Sequence, residues 1–228
     1  MRVLDSFFVE TVSFEECKPW LLKKHYAHRM PMAVEFSFGL YDTSKNLCGV
    51  CVFGPTAPPV PKTLFGSIEA VKVRELTRLV VNEELKKNTL SFFVSKAIRM
   101  LPRPMCLVSY ADKNAGHHGY IYQATNWFYT GTGGGETNII DINGNPVHNI
   151  TITDGCTRER INRKQYFEKH GLSESEALPK FRYVFFIGNK KEKKDMINLL
   201  KVKILPYPKG DNFRYDIGEK IKTQKLLF

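Results

Sequence analysis

The chain has 228 residues, 43% of them hydrophobic, which excludes wholesale disorder and fits one large domain or two small ones. Its net charge of +11 and pI near 9.4 favour an anionic partner, of which nucleic acid is the commonest. No stretch approaches the roughly 18 apolar residues of a membrane span, the opening MRVLDSFF does not read as a signal peptide, and five cysteines fit a reducing, cytoplasmic setting.

Residues 3–12 (VLDSFFVETV) read as a first strand. Ser13-Phe-Glu-Glu16 has the form of a capping box, but Pro19 fits poorly inside a helix, so the helix starts either there or at Pro19. Trp20, Leu21, Leu22 and Tyr26 share a helical side, and the helix runs out near His25, with Pro31 as its stop. His25 taken alone reads as a surface or capping histidine at a helix C-terminus. Residues 34–41 (VEFSFGLY) and 47–53 alternate apolar and polar side chains, and DTSKN between them makes an antiparallel hairpin. Cys48 and Cys51 have C-x-x-C spacing, but they lie in an apolar strand with no second Cys/His pair, which favours burial over zinc. The four prolines of residues 54–66 exclude a central strand or a helix and leave a long surface loop.

Residues 70–81 (AVKVRELTRLVV) are the longest strand expected. Strict alternation puts Glu75, Thr77, Leu79 and Val81 on one face, and Arg74, Leu76 and Arg78 on the other. Arg78 could hold a phosphate or carboxylate through its planar fork, or pair with Glu75. Residues 82–91 (NEELKKNTLS) lead into a helix over 90–100, with Asn88, Thr89 and Ser91 as caps and Lys86 and Lys87 as charge. No glycine there lets backbone amides approach a pyrophosphate closely. Residues 106–110 form a short strand ending at Ala111 and Asp112, 113–119 are turn-like, 120–124 a short helix, and 127–129 an aromatic strand.

Beyond a flexible joint at 133–135, residues 137–152 read as a hairpin turning on Asn143-Gly144, and 158–170 as one basic helix stopped by Gly171. Residues 182–187 are a strand that pairs with 127–129. A helix with a basic extension over 190–203, Pro206-Tyr-Pro-Lys209 and a lysine-rich tail finish the chain. Positive charge is loaded into this last third, where Arg158, Arg160, Arg163, Lys164, Lys190 and Lys191 are the candidate contacts to DNA phosphates. Tyr166, Phe167, Tyr207 and Tyr215 interleave with them and could stack on bases or pack.

A strand with a polar end, a small helix bearing Tyr122 and an aromatic strand follow one another in the order of the last third of GNAT acyltransferases. More particularly, SYAD (109–112), GHxG (116–119), IYQATNW (121–127) and YxG (129–131), with ELTRL (75–79) and His25-Tyr26, resemble the Mom family of phage Mu. That resemblance implies a GNAT-like α/β (α+β) fold. Its mixed, mostly antiparallel central sheet is flanked by helices, with a hairpin-helix insertion between strands 6 and 7. It also implies one domain over 1–228, the insertion at 136–180 and a basic C-terminal extension at 189–228.

The activity implied is conversion of adenine in double-stranded DNA to N6-carbamoylmethyladenine, which protects phage DNA from host restriction in the host cytoplasm. The resemblance makes Tyr26, Arg78, Asp112 and Tyr122 catalytic, with Asp112 a proton acceptor or ligand and Arg78 the holder of an anionic donor. It places His25, Ser109, Tyr110, His117, Tyr120 and Asn126 at the substrate, and His118 is read as facing solvent. Iron is a candidate cofactor, with His25, Tyr26, Asp112 and Tyr122 as its N/O ligands. Acyl-CoA is the other candidate, against which the glycine-free loop counts. The alternatives are an N-acyltransferase acting on a small amine or protein, and a non-catalytic GNAT-shaped DNA-binding module.

Overall fold

The computed structural model describes residues 3–25, 30–83, 85–113, 116–133, 138–147, 149–175 and 179–210. Strands β1 (Phe7–Thr11), β2 (Phe36–Asp42), β3 (Leu47–Pro55), β4 (Val73–Val81), β5 (Met105–Ala111), β6 (Phe128–Gly133) and β10 (Lys180–Ile187) form one seven-stranded sheet. Its order is β1-β2-β3-β4-β5-β10-β6, and every pair is antiparallel except β4 with β5. This is the mixed, mostly antiparallel sheet the sequence implied, with β10 seated between β5 and β6. Among the described residues no helix is long and apolar enough to cross a membrane.

Helices cover both faces. Helix α3 (Thr89–Arg99) sets Phe93, Val94, Ala97 and Ile98 against Phe53, Leu76 and Leu107, and the short helix α4 (Tyr120–Ala124) adds Tyr122 to that core. On the other face α1 (Phe14–Lys23) buries Cys17, Trp20 and Leu21 against Val50, Val52 and Val80. Beside it α2 (Pro59–Phe65) and α7 (Lys190–Leu199) bury Leu64, Phe65 and Met196 against Val73, Cys106, Val108 and Val184.

Of the two starts left open for the first helix, α1 takes the earlier, at Phe14, because the capping box closes: Glu16 N donates to Ser13 Oγ (3.2 Å) and Ser13 N to Glu16 Oε2 (3.1 Å). That cap and the burial of Trp20 outweigh the hydrogen bond that Pro19 cannot make. The expectation that the proline-rich stretch excludes a helix is corrected, since it contains α2. In α2 the prolines fall in the first turn, where N–H groups have no intrahelical partner, and Gly66 closes it at φ +79°.

A second correction concerns β4. The ladder with β3 pairs Arg78 with Val52 but Leu76 with Phe53, so Thr77 is an extra, bulged residue. The bulge flips the alternation beyond it. Leu76, Leu79 and Val81 therefore share the α3 face, and Glu75, Arg78 and Val80 the opposite one.

Between β6 and β10 lies a small satellite unit. Strands β7 (Asn138–Ile140), β8 (Pro146–Val147) and β9 (Ser173–Ser175) form a second sheet, with α5 (Asn149–Glu159) and α6 (Arg163–His170) beside it. The hairpin is shorter than expected, because the β-rich run after it is helical. Ile152 on α5 is 1% exposed and packs on Ile139 and Tyr166, so burial overrides the weak helix preference of its β-branched neighbours. The basic helix is also broken. Arg160 takes φ +54°, and Asn162 opens α6 with its own capping box.

Cys48 and Cys51 are buried in β3, and burial pushes both thiols upward, as expected of packing groups. Gly119 precedes α4 at φ +77°, and a Cβ there would collide with the Tyr183 ring. Gly119→Ala should therefore lower stability by at least about 2 kcal/mol, as a drop in urea midpoint would show.

Candidate functional site

The site is built on the parting of β4 and β5. The two strands pair only through Val73–Cys106, Arg74–Leu107 and Glu75–Val108, although β4 continues to Val81 and β5 to Ala111. At the first unpaired position a side chain takes over from the ladder. Ser109 Oγ donates to the Leu76 carbonyl oxygen (2.8 Å), and its remaining bond, 2.7 Å to Tyr122 Oη, uses the tyrosine's proton. Tyr122 is held there between the rings of Trp127 (centroids 5.2 Å) and Tyr183 (5.1 Å).

On the opposite face the same point of the sheet is charged. Glu75 and Arg78 come from β4, Tyr110 from β5, and Lys180 and Arg182 from β10, with Asp112 just past the end of β5. Asp112 Oδ2 pairs with Lys180 Nζ at 3.4 Å. Arg78 Nη1 donates to the Thr77 carbonyl (2.7 Å), and Arg182 clamps Thr130 through its Oγ1 (3.0 Å) and carbonyl (2.9 Å). Burial pushes the Glu75 carboxyl up to about 7, opposed by the positive charges of Arg78 and Lys180. Burial and the Glu75 charge push Tyr110 up to about 12. Burial also lowers His117, against the pull of Asp112, to whose carbonyl His117 N donates (2.9 Å).

Arg78, Tyr110 and Asp112 thus gather on one face, and Ser109 and Tyr122 meet on the other. Tyr26 lies outside the described residues. His25 is buried at the end of α1, with its N–H bonded to the Trp20 carbonyl, so it is not the surface histidine its position suggested. Tyr120 is 62% exposed on the outer side of α4. Asn126 is the left-handed residue that ends that helix, at φ +61°. His118 does not face solvent freely: it is half-buried, its ring lies 5.7 Å from Phe181, and its Nδ1 is buried. Sequence reasoning offered Glu75 only as an ion-pair partner of Arg78 and gave it no place in the site. Strict alternation put the two on opposite faces, and the extra residue at Thr77 brings them to one face.

Among the described residues neither candidate cofactor finds a complete site. Among the described residues no three His, Cys, Asp or Glu side chains gather for a metal. Asp112 is paired with Lys180 on one face, and the Tyr122 hydroxyl is engaged with Ser109 on the other. For acyl-CoA, the start of α3 offers little: Asn88 sits at φ +70° without a side-chain cap, Thr89 N donates to the Lys86 carbonyl, and Lys86 Nζ turns to Ser6 Oγ (3.1 Å).

The candidate DNA contacts divide. Arg163 is used internally, bonded to Asn149 Oδ1 (3.0 Å) and Glu174 (3.2 Å) and lying over Phe167. Arg158, Arg160 and Lys164 are exposed on the satellite unit, and Lys190 and Lys191 on the first turn of α7. Lysines there oppose the helix dipole, a cost that a bound polyanion would offset.

The profile of the Mom protein family matches residues 6–209. A methylcarbamoylase, mom, of Escherichia phage Mu is 26% identical over 209 residues, covering 88% of this chain and 83% of that protein. Among solved structures, a spermidine/spermine N-acetyltransferase of Vibrio cholerae superposes with a TM-score of 0.44 at 9% identity, covering 81% of this chain and 95% of its own. An HPA2-related acetyltransferase of Corynebacterium glutamicum gives 0.42 at 9% identity, covering 78% and 95%.

Two outcomes follow from this geometry. Ser109→Ala leaves the buried Leu76 carbonyl and Tyr122 hydroxyl without their shared partner, and should cost about 1–3 kcal/mol in denaturant titrations. Glu75 ordinarily titrates near 4.5 and does so near 7 when folded. The folded state therefore binds its proton more tightly, and stability falls as pH rises from about 4.5 to about 7. Glu75→Gln should remove that decline, worth at most about 3 kcal/mol, from the pH dependence of unfolding.

Proposed function

The chain belongs to the Mom protein family, and from that premise we propose that it is a transferase acting on adenine in DNA, converting it to N6-carbamoylmethyladenine. The observation that carries the reading is that the family match spans Arg78, Asp112 and Tyr122, all of them at the parting of β4 and β5. The named activity of the phage Mu relative supplies the transferred group. Protection of phage DNA from host restriction would follow from the modification.

The chemistry asks for three things from the protein. The exocyclic amine of adenine is a weak nucleophile that loses a proton when its new N–C bond forms, so a base is needed. Glu75, titrating near 7 and set between Arg78 and Lys180, suits a proton acceptor at neutral pH. Asp112, paired with Lys180 and next to His117, holds the edge of that pocket. Second, negative charge on the donor or leaving group needs a cation, and Arg78 is the guanidinium at the splay. Third, the reacting centre needs a rigid wall on the other side. The Tyr122–Ser109–Leu76 chain supplies it, with the phenol proton committed to Ser109. The base itself must leave the duplex to reach this point.

Nucleosides from plasmid DNA of cells expressing the chain should contain an adenosine heavier by a carbamoylmethyl group, detected by mass spectrometry. Asp112→Ala should abolish that species while the protein stays folded; unchanged modified adenine in this variant would overturn the assignment. Glu75→Gln should lower turnover at least about 100-fold and remove the rising limb of the pH–rate profile near neutrality. DNA binding should weaken steeply with salt. Neutralising Arg158, Lys164 or Lys190 singly should each reduce the slope of log K against log salt by about one.

A further inference from the structure

Past α7 the chain does not leave the body of the protein. Lys201 N donates to the Leu64 carbonyl (2.7 Å), and Leu205 N to the Tyr129 carbonyl (2.9 Å), so the segment runs as a strap along the edge strand β6. Tyr207 Oη then donates to the Trp127 carbonyl (2.7 Å), and Gln123 Nε2 lies 3.4 Å from the Pro208 carbonyl. Between this strap and the outer side of α4 is a cleft of about 510 Å³.

Its lining has a particular chemistry. Tyr120 from α4 and Tyr207 from the strap are 62% and 43% exposed, so both present ring area to the cleft mouth. Lys209 supplies a cation, and among the described residues no acidic side chain lines the cleft. Gln123 is fixed by the Tyr183 hydroxyl (3.1 Å), and its carbonyl oxygen takes no hydrogen bond among the described residues. Aromatic faces, an amide and a lysine suit a nucleobase with its phosphate. The faces can be reached only by a base that is not stacked in a duplex.

We propose that this cleft is a subsite for an unpaired nucleotide flanking the adenine that is modified. The inference rests on the DNA-modification reading above. The cleft adjoins the candidate site through His118, which lines it and follows His117 in the turn bonded to Asp112. It is not the reacting position, because α4 stands between: Tyr120 faces out, whereas Tyr122 is buried against Trp127 and bonded to Ser109. The flanking base stacks on Tyr120 and Tyr207, its phosphate meets Lys209, and Gln123 accepts from an exocyclic amine. The subsite would make the enzyme sensitive to the neighbour of its target adenine.

The test is photo-crosslinking of the full-length protein to single-stranded oligonucleotides carrying one adenine, with 5-iodouracil placed at successive flanking positions. Crosslinks from at least one flank should map to the peptides holding Tyr120 or Tyr207. Tyr120→Ala should weaken single-strand binding about tenfold, with an unchanged circular dichroism spectrum and melting temperature because that ring is exposed. An oligonucleotide that binds but crosslinks only to the satellite unit or α7 overturns the proposal, as does an affinity indifferent to Tyr120→Ala. ADP binding that blocks labelling of the cleft, with no crosslink from any oligonucleotide, assigns it to a free nucleotide instead. Modified adenine without cleft crosslinks removes this subsite alone. Absence of both modification and DNA binding removes the underlying reading, and this one with it.

Discussion

Past Glu75 and Val108 the two central strands share no backbone hydrogen bond, and the groups they would have paired must find other partners inside the protein. Much of the molecule can be understood from how this is met. On the α3 side the Leu76 carbonyl is satisfied by Ser109, and Ser109 by Tyr122, which fixes the depth and rotation of α4. Helix α4 is only five residues long, too short to be stable alone, and is held by that bond, by Trp127 and Tyr183, and by the left-handed glycine that starts it. On the other side the gap is filled by charge rather than hydrocarbon. Glu75, Arg78, Asp112 and Lys180 occupy a position that a continuous sheet would have closed with apolar contacts.

This arrangement separates two kinds of chemistry by the thickness of one sheet. A titrating carboxyl and a guanidinium lie on one side, and a phenol bonded to Ser109 on the other. Burial raises the carboxyl toward neutrality, and the two cations stop it from rising further, so its ionisation depends on packing and charge together.

Where the sequence was legible, the signal was periodic or local. The alternating runs of β2 and β3, the apolar run of β5 and the capping box at Ser13 all follow from residues a few positions apart. The illegible features depended on partners far away. Nothing within residues 73–81 announces the extra residue at Thr77; the bulge exists because β3 pairs on both sides of it. That single residue decides that Arg78 shares a face with Glu75 rather than with Leu76, which strict alternation could not show. Likewise 149–152 (NITI) is helical because Ile152 finds Ile139 and Tyr166, which local preference cannot register. In α2 the error lay in counting prolines without asking which turn they occupy.

The strap over β6 joins two duties in one segment. An uncovered edge strand is a template for pairing with another chain. Here the Leu205 amide and the Tyr207 hydroxyl occupy carbonyls along that rim, while the same residues wall the cleft beside α4. Any ligand that lifts the strap bares an adhesive border, and any ligand that seats beneath it presses the border shut. Colloidal behaviour and occupancy of the cleft therefore depend on the same few residues.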